Sequence, residues 1–196
     1  MSATDTFRLL HVDDDPAILD LTSAFLDREL DWEVTTLTES EPEVALSRIV
    51  DDAEASDAGV NVDCIISDYD MSGMDGLAFF EALRDHGITT PFILYTGKGS
   101  EEIASQALNA GVTGYFQKGG PDQQRRLANR VEQVLEDCRT QAVADRYSTV
   151  LEALGYPIYV VDDDGQFEFV NEPLAELTGY DRETIIGSSP SLIKDE

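Results

Sequence analysis

Five short apolar runs, each ending in a polar or charged residue, constrain this chain more than any other feature. They are Phe7–Val12, Trp32–Leu37, Val62–Ser67, Pro91–Tyr95 and Gly114–Gln117. Helical periodicity fills the intervals. Ile18, Leu21 and Phe25 fall at i, i+3 and i+7 after Pro16, and Glu41–Val50 carries Pro42 in its first turn. Gly76–Arg84 stops near Gly87, and Glu101–Ala110 is closed by Gly111. Asp51–Asn61, polar and rich in Gly, Ala and Asp, reads as a loop. Strands alternating with helices imply parallel pairing through right-handed crossovers, with a helical layer on each face. The fold class is α/β, a doubly wound parallel sheet. Such sheets bind ligands outside the carboxyl ends of their strands. The residues at those ends are Asp13, Asp14, Asp68, Thr96 and Lys118.

That edge is a chemical set. Three carboxylates held together repel and raise one another's pKa. A hard, oxygen-seeking cation such as Mg²⁺ relieves the repulsion. Lys118 adds a positive charge and Thr96 a hydroxyl. A cation, an ammonium and a hydroxyl around a carboxylate form a cradle for a phosphoryl group, whose transfer is mostly positioning and charge neutralisation. One carboxylate can then act as nucleophile and become an aspartyl phosphate. Asp15, before Pro16, and Asp75, before Gly76, read as helix N-caps. His11 reads as a packed strand histidine, and His86 as a cation at a helix end.

The segments His11-Val12-Asp13-Asp14-Asp15-Pro16, Ser67-Asp68-Tyr69-Asp70-Met71-Ser72-Gly73-Met74-Asp75-Gly76, Leu94-Tyr95-Thr96-Gly97 and Gly114-Tyr115-Phe116-Gln117-Lys118 resemble the receiver domain of two-component response regulators. The resemblance covers residues 5–136 and implies a five-stranded flavodoxin-like fold. It implies that Asp68 accepts phosphate from a histidine kinase or a phosphotransfer protein. Asp13 and Asp14 would hold Mg²⁺ together with Asp68, with Asp70 contributing its backbone carbonyl. Thr96 and Lys118 would bind the phosphoryl group, and Thr96 with Tyr115 would form the switch. Ser72 and Gly119 stand where the family usually has Pro, and Gly97 where it usually has Ala. The stretch Thr96–Glu102 resembles receivers of haloarchaeal sensor proteins. A phosphoacceptor of this kind carries no kinase catalytic domain and is not expected to be an enzyme. The competing reading is a haloacid-dehalogenase-type phosphatase using Asp68 and Asp70, with Thr96, Lys118 and Asp162-Asp163 as later motifs.

After Pro121 the pattern changes. Leu127, Val131, Val134 and Cys138 follow helical spacing, and Val143, Tyr147, Val150 and Leu154 repeat it after a skip. One long helix, or two nearly in line, is expected. The 121–155 helix offers a surface through which two chains could pair. Pro157–Val161 and Gln166–Val170 read as strands around the Asp162-Asp163-Asp164-Gly165 turn, and Glu172–Thr178 as a short helix. Residues 148–196 resemble the first half of a PAS domain. The expected organisation is a receiver over 5–136, a helical linker over 137–155 and a partial PAS domain over 156–196. That last part is expected to be a truncated piece with its final residues poorly ordered.

Charge sets the remaining bounds. With 40 Asp and Glu against 13 Lys and Arg, the formal net charge is −27. Such a field repels nucleic acid and anionic membranes. Only three lysines occur, a make-up that resembles proteins of salt-loving archaea, although an acidic mesophilic protein would share it. No apolar run approaches the ~20 residues of a bilayer span. Met1–Leu10 carries no signal-peptide pattern, so a cytoplasmic protein is expected. Cys64 and Cys138 are widely spaced, without a metal-ligand pattern, and read as free thiols.

Overall fold

The computed structural model describes residues 6–55, 62–97 and 100–193, so Lys98, Gly99 and Lys194 lie outside the described residues. They divide into two compact units, one reaching Cys138 and one beginning at Arg139. In the first, β1 (Phe7–Val12), β2 (Val34–Glu39), β3 (Cys64–Ser67), β4 (Phe92–Thr96) and β5 (Gly114–Gln117) form one parallel sheet in the order β2-β1-β3-β4-β5. The crossovers are α1 (Pro16–Glu29), α2 (Pro42–Ala55), α3 (Gly76–Asp85) and α4 (Glu101–Ala110), and α5 (Pro121–Ala153) follows β5.

Strand alternation sorts the core into two layers. Phe7, Leu9, Cys64, Ile66, Ile93 and Tyr95 pack with Phe25 and Leu26 of α1 and Leu127, Val131 and Val134 of α5. Leu10, Val12, Ile65, Phe92 and Leu94 face the other way, onto Ala45 and Ile49 of α2, Phe79, Phe80 and Leu83 of α3 and Ala107 of α4. β3 and β4 are buried on both faces, as central strands of a doubly wound sheet must be.

Three expectations need correction. The α1 stripe runs through Leu19, Thr22, Phe25 and Leu26, while Leu21 is 55% exposed. The spacing Ile18–Leu21–Phe25 is helical, but the buried face lies one position around. The loop expected over Asp51–Asn61 is still helix to Ala55, because Ala53, Glu54 and Ala55 favour helix; residues 56–61 lie outside the described residues. β2 is displaced two residues past Trp32–Leu37. Its limits follow the ladder on β1, from Phe7↔Val34 to Val12↔Glu39. Trp32 instead packs edge-on against Phe7, with centroids 5.6 Å apart.

In the second unit, β6 (Tyr159–Val161) and β7 (Phe167–Val170) form an antiparallel hairpin. Its turn closes on Asp162, whose Oδ1 accepts from the amides of Asp164 (3.0 Å) and Gln166 (2.8 Å). Phe167, Val170, Leu174, Ala175 and Ile185 make a small core with α6 (Glu172–Thr178) and α7 (Arg182–Ile185). A 3₁₀ turn at Pro190–Ile193 follows. Asn171, fully buried, ties the unit together. Its Oδ1 accepts from the Ile158 amide at 2.8 Å, and its Nδ2 donates to the carbonyls of Leu151 (3.0 Å) and Tyr156 (2.8 Å). Nearby, Glu152 accepts from the Glu172 amide at 2.6 Å and pairs with Arg182 at 3.3 Å.

One close approach positions the strand edge. A Cβ on Gly76 would meet the Asp68 carbonyl oxygen and come within 2.8 Å of Leu94 Cδ2. Gly76→Ala should therefore push β3 and α3 apart and destabilise the first unit by about 3 kcal/mol. Urea unfolding in molar KCl measures this; a loss below about 0.5 kcal/mol, ordinary for an unconstrained surface change, would contradict the close packing.

Candidate functional site

The strand edge is built by extending the ladders one residue beyond the strands. The Asp13 amide donates to the Glu39 carbonyl at 3.1 Å, and the Asp68 amide to Val12 at 2.8 Å. The Lys118 amide donates to Thr96 at 2.8 Å. Backbone pairing thus delivers the side chains of Asp13, Asp68 and Lys118 to one place.

Lys118 lies between two carboxylates. Its Nζ is 2.5 Å from Asp13 Oδ2 and 3.0 Å from Asp68 Oδ2, and its side chain is only 15% exposed. Asp13 and Asp68 are buried. Asp13 Oδ1 accepts from the Asp15 amide at 3.1 Å, and Asp68 Oδ1 from the Tyr69 amide at 2.8 Å. Burial holds the Asp13 carboxyl above the usual carboxylate range, with the Asp68 charge adding to it. The Lys118 hydrogen bond and charge, and the Asp15 amide, pull the other way.

Asp14 completes the set from an exposed position. One carboxylate oxygen from each of Asp13, Asp14 and Asp68 lies within 4.8 Å of the others. Three hard oxygens at that spacing fit a small divalent cation such as Mg²⁺. Asp14 Oδ2 accepts from the Ser72 amide (3.2 Å) and the Ser72 hydroxyl (3.4 Å). The sequence marks Ser72 only as a departure from the resembled pattern, with no site role attached to it.

Thr96 is buried at the end of β4. Asp70 is exposed on the loop after β3, and its carboxylate is not among the three clustered ones. Tyr115, half-buried on β5, packs against the layer containing Leu94 and Ala107. Burial raises its hydroxyl pKa, opposed by the Gln117 side chain and the Ser100 backbone. Asp15 caps α1 through the Ala17 amide at 2.9 Å, and Asp75 caps α3 through Leu77 and Ala78. Lys118 is held by Thr96 on the ladder even though Gly119 follows it. The two cysteines are free thiols, Cys64 buried in β3.

His11 is fully buried in β1, with Nε2 3.9 Å from Asp13 Oδ2. Neither ring nitrogen has a hydrogen-bond partner among the described residues. Burial first, then the Lys118 charge, pushes its pKa down to about 3, against a smaller upward pull from Asp68. The imidazole is neutral in the folded protein.

Residues 9–132 match the response regulator receiver domain model, and residues 145–194 match the PAS fold model. The Bacterioopsin transcriptional activator of Halobacterium salinarum is 24% identical over 145 residues, which are 66% of this chain and 22% of that protein. Transcriptional regulatory protein FixJ of Bradyrhizobium diazoefficiens is 27% identical over 100 residues, 50% of this chain and 48% of that protein. The chain therefore spans less than half the length of these two curated relatives. The solved signal receiver domain of an HD domain-containing protein from Pseudomonas fluorescens Pf-5 is 26% identical. That match covers 69% of this chain and 98% of that one, with a TM-score of 0.54.

The His11 environment has a signed pH consequence. A histidine at about 3 when folded and 6.5 when unfolded contributes stability that is complete above pH 6.5 and lost as pH falls toward 3. The slope attributable to it is at most about 1.4 kcal/mol per pH unit. His11→Gln should flatten the acid limb of stability by that component, measured by urea unfolding at pH steps through this window. Parallel acid limbs in both proteins would refute the assignment.

Proposed function

Since the chain belongs to the response regulator receiver family through residues 9–132, we propose that this two-component signalling protein takes a phosphoryl group on Asp68. The observation that carries the reading is the Lys118 ammonium within 3.0 Å of Asp68 Oδ2. In the proposed step, an Asp68 carboxylate oxygen bonds to the phosphorus of a phosphohistidine on a kinase or phosphotransfer protein. The phosphorus–nitrogen bond breaks, and the electron pair returns to the partner's imidazole. Asp13, Asp14 and Asp68 would hold Mg²⁺, joined by the Asp70 backbone carbonyl, as family membership implies. When bound, the cation neutralises charge on the phosphoryl oxygens. Lys118 neutralises a further oxygen, releasing its present contacts to Asp13 and Asp68. Thr96 donates its hydroxyl to the incoming group.

Signalling then follows as a population shift. The phosphoryl group binds better to the arrangement in which Thr96 has moved toward it, and Tyr115 moves with that change. The PAS segment or a partner reads the altered face. The chain itself is an acceptor rather than an enzyme. No observation favours the phosphatase alternative. Its would-be later motif, Asp162-Asp163, belongs to the hairpin turn of the second unit, where Asp162 closes the turn.

The setting is read from charge. A net charge of −27 suits a concentrated-salt cytoplasm, where screening reaches down to about 3 Å at 1 M. Among the described residues no helix is long and apolar enough to cross a membrane. The same charge argues against this chain itself gripping nucleic acid. Two relatives carry names concerned with transcription, and most of their length lies beyond the matched part. A second copy of the chain is the proposed occupant of the α5 stripe at Val143, Tyr147 and Val150, continued by Leu154 just past the helix end, all exposed.

Acetyl phosphate with Mg²⁺ tests the acceptor reading. Wild type should form one acid-stable adduct of about one phosphoryl mass, with Asp68→Asn forming none and chelation preventing it. An equal adduct on Asp68→Asn, or continuous turnover of small phosphate esters, would overturn it. For pairing, sedimentation in molar KCl should show a concentration-dependent dimer, lost in Tyr147→Asp/Val150→Asp. A monomer throughout would refute that part alone.

A further inference from the structure

We infer that Ser72 is a positioning residue for the cation pocket, holding the Asp14 carboxylate in place before a cation arrives. The inference rests on the reading that Asp13, Asp14 and Asp68 take Mg²⁺. The three carboxylates do not face equal circumstances. Asp13 and Asp68 are buried and share the Lys118 ammonium, at 2.5 Å and 3.0 Å. Asp14 is exposed, so repulsion from its neighbours and its own rotamer freedom both draw it toward water. Its oxygen nevertheless lies within 4.8 Å of theirs. The contacts that answer that pull come from Ser72, which donates its backbone N–H at 3.2 Å and its hydroxyl at 3.4 Å.

Both donors address the same oxygen, Asp14 Oδ2. The carboxylate is thus oriented without being neutralised, and its two oxygens together have more lone pairs than these two donors use. Second-shell donors of this kind fix a ligand's rotamer and tune a metal site. Ser72 stands four residues after Asp68 on the loop that leads into α3. The segment proposed to receive the phosphoryl group therefore also steadies a metal ligand that comes from β1. The arrangement needs a residue with both a backbone N–H and a short hydroxyl. Proline, usual at this position in the family, offers neither.

The test uses the full chain in molar KCl with Mn²⁺ as probe, free ion being read by electron paramagnetic resonance, without any phosphodonor. Ser72→Thr keeps both donors and should bind as wild type. Ser72→Ala keeps only the N–H and should bind a few-fold more weakly. Ser72→Pro keeps neither and should lose about tenfold. Should Ser72→Pro fail to fold, the Ala and Thr pair still decides, since neither alters the backbone donor. Ala and Thr variants both within error of wild type, with Asp14→Asn clearly weaker, would overturn the role of Ser72 and leave the cation reading standing. Asp14→Asn binding as wild type would instead remove the cation reading, and this inference with it.

Discussion

A single ammonium between two buried carboxylates is the contact on which the rest of the first unit turns. In a chain of net charge −27, clustering acids at the edge of a sheet is costly. Lys118 makes it tolerable. The ammonium lies within ion-pair reach of both Asp13 and Asp68, and the three groups are largely withdrawn from water. Lys118 thus meets the two buried acids, while Asp14 stands exposed beside them with an oxygen within 4.8 Å of theirs. The His11 ring lies beside Asp13, and burial pushes its pKa down to about 3.

Much of this was legible in the sequence because the relevant signals are local. β1, β5 and α4 begin and end where their apolar runs and breakers place them. The motif residues meet because parallel pairing brings the strand ends together, an inference that needs only the alternation of elements. What was missed depended on tertiary context. The limits of β2 follow its partner strand rather than its own pattern. The buried face of α1 includes Thr22 and excludes Leu21, and hydrophobicity alone ranks those two the wrong way round. Ser72 stands out in the sequence only as a departure from the resembled pattern; its contact with Asp14 joins residues 58 positions apart.

The second unit illustrates a different balance. Its core is small, and a hairpin of this size gains little from burial alone. Asn171 compensates by satisfying a donor and two acceptors on the backbone around it, while Glu152 reaches the first amide of α6. Those bonds fasten the last turns of α5 to the hairpin, so the helix end and the strands behave as one piece.

The amide of Lys118 and the carbonyl of Thr96 are joined by one ladder bond. The alcohol and the amine at this edge are therefore yoked through the main chain. A shift of the main chain at either residue strains the bond to the other, whereas side-chain rotation alone leaves it intact. A main-chain displacement at the end of β4 is therefore passed directly to the residue that follows β5.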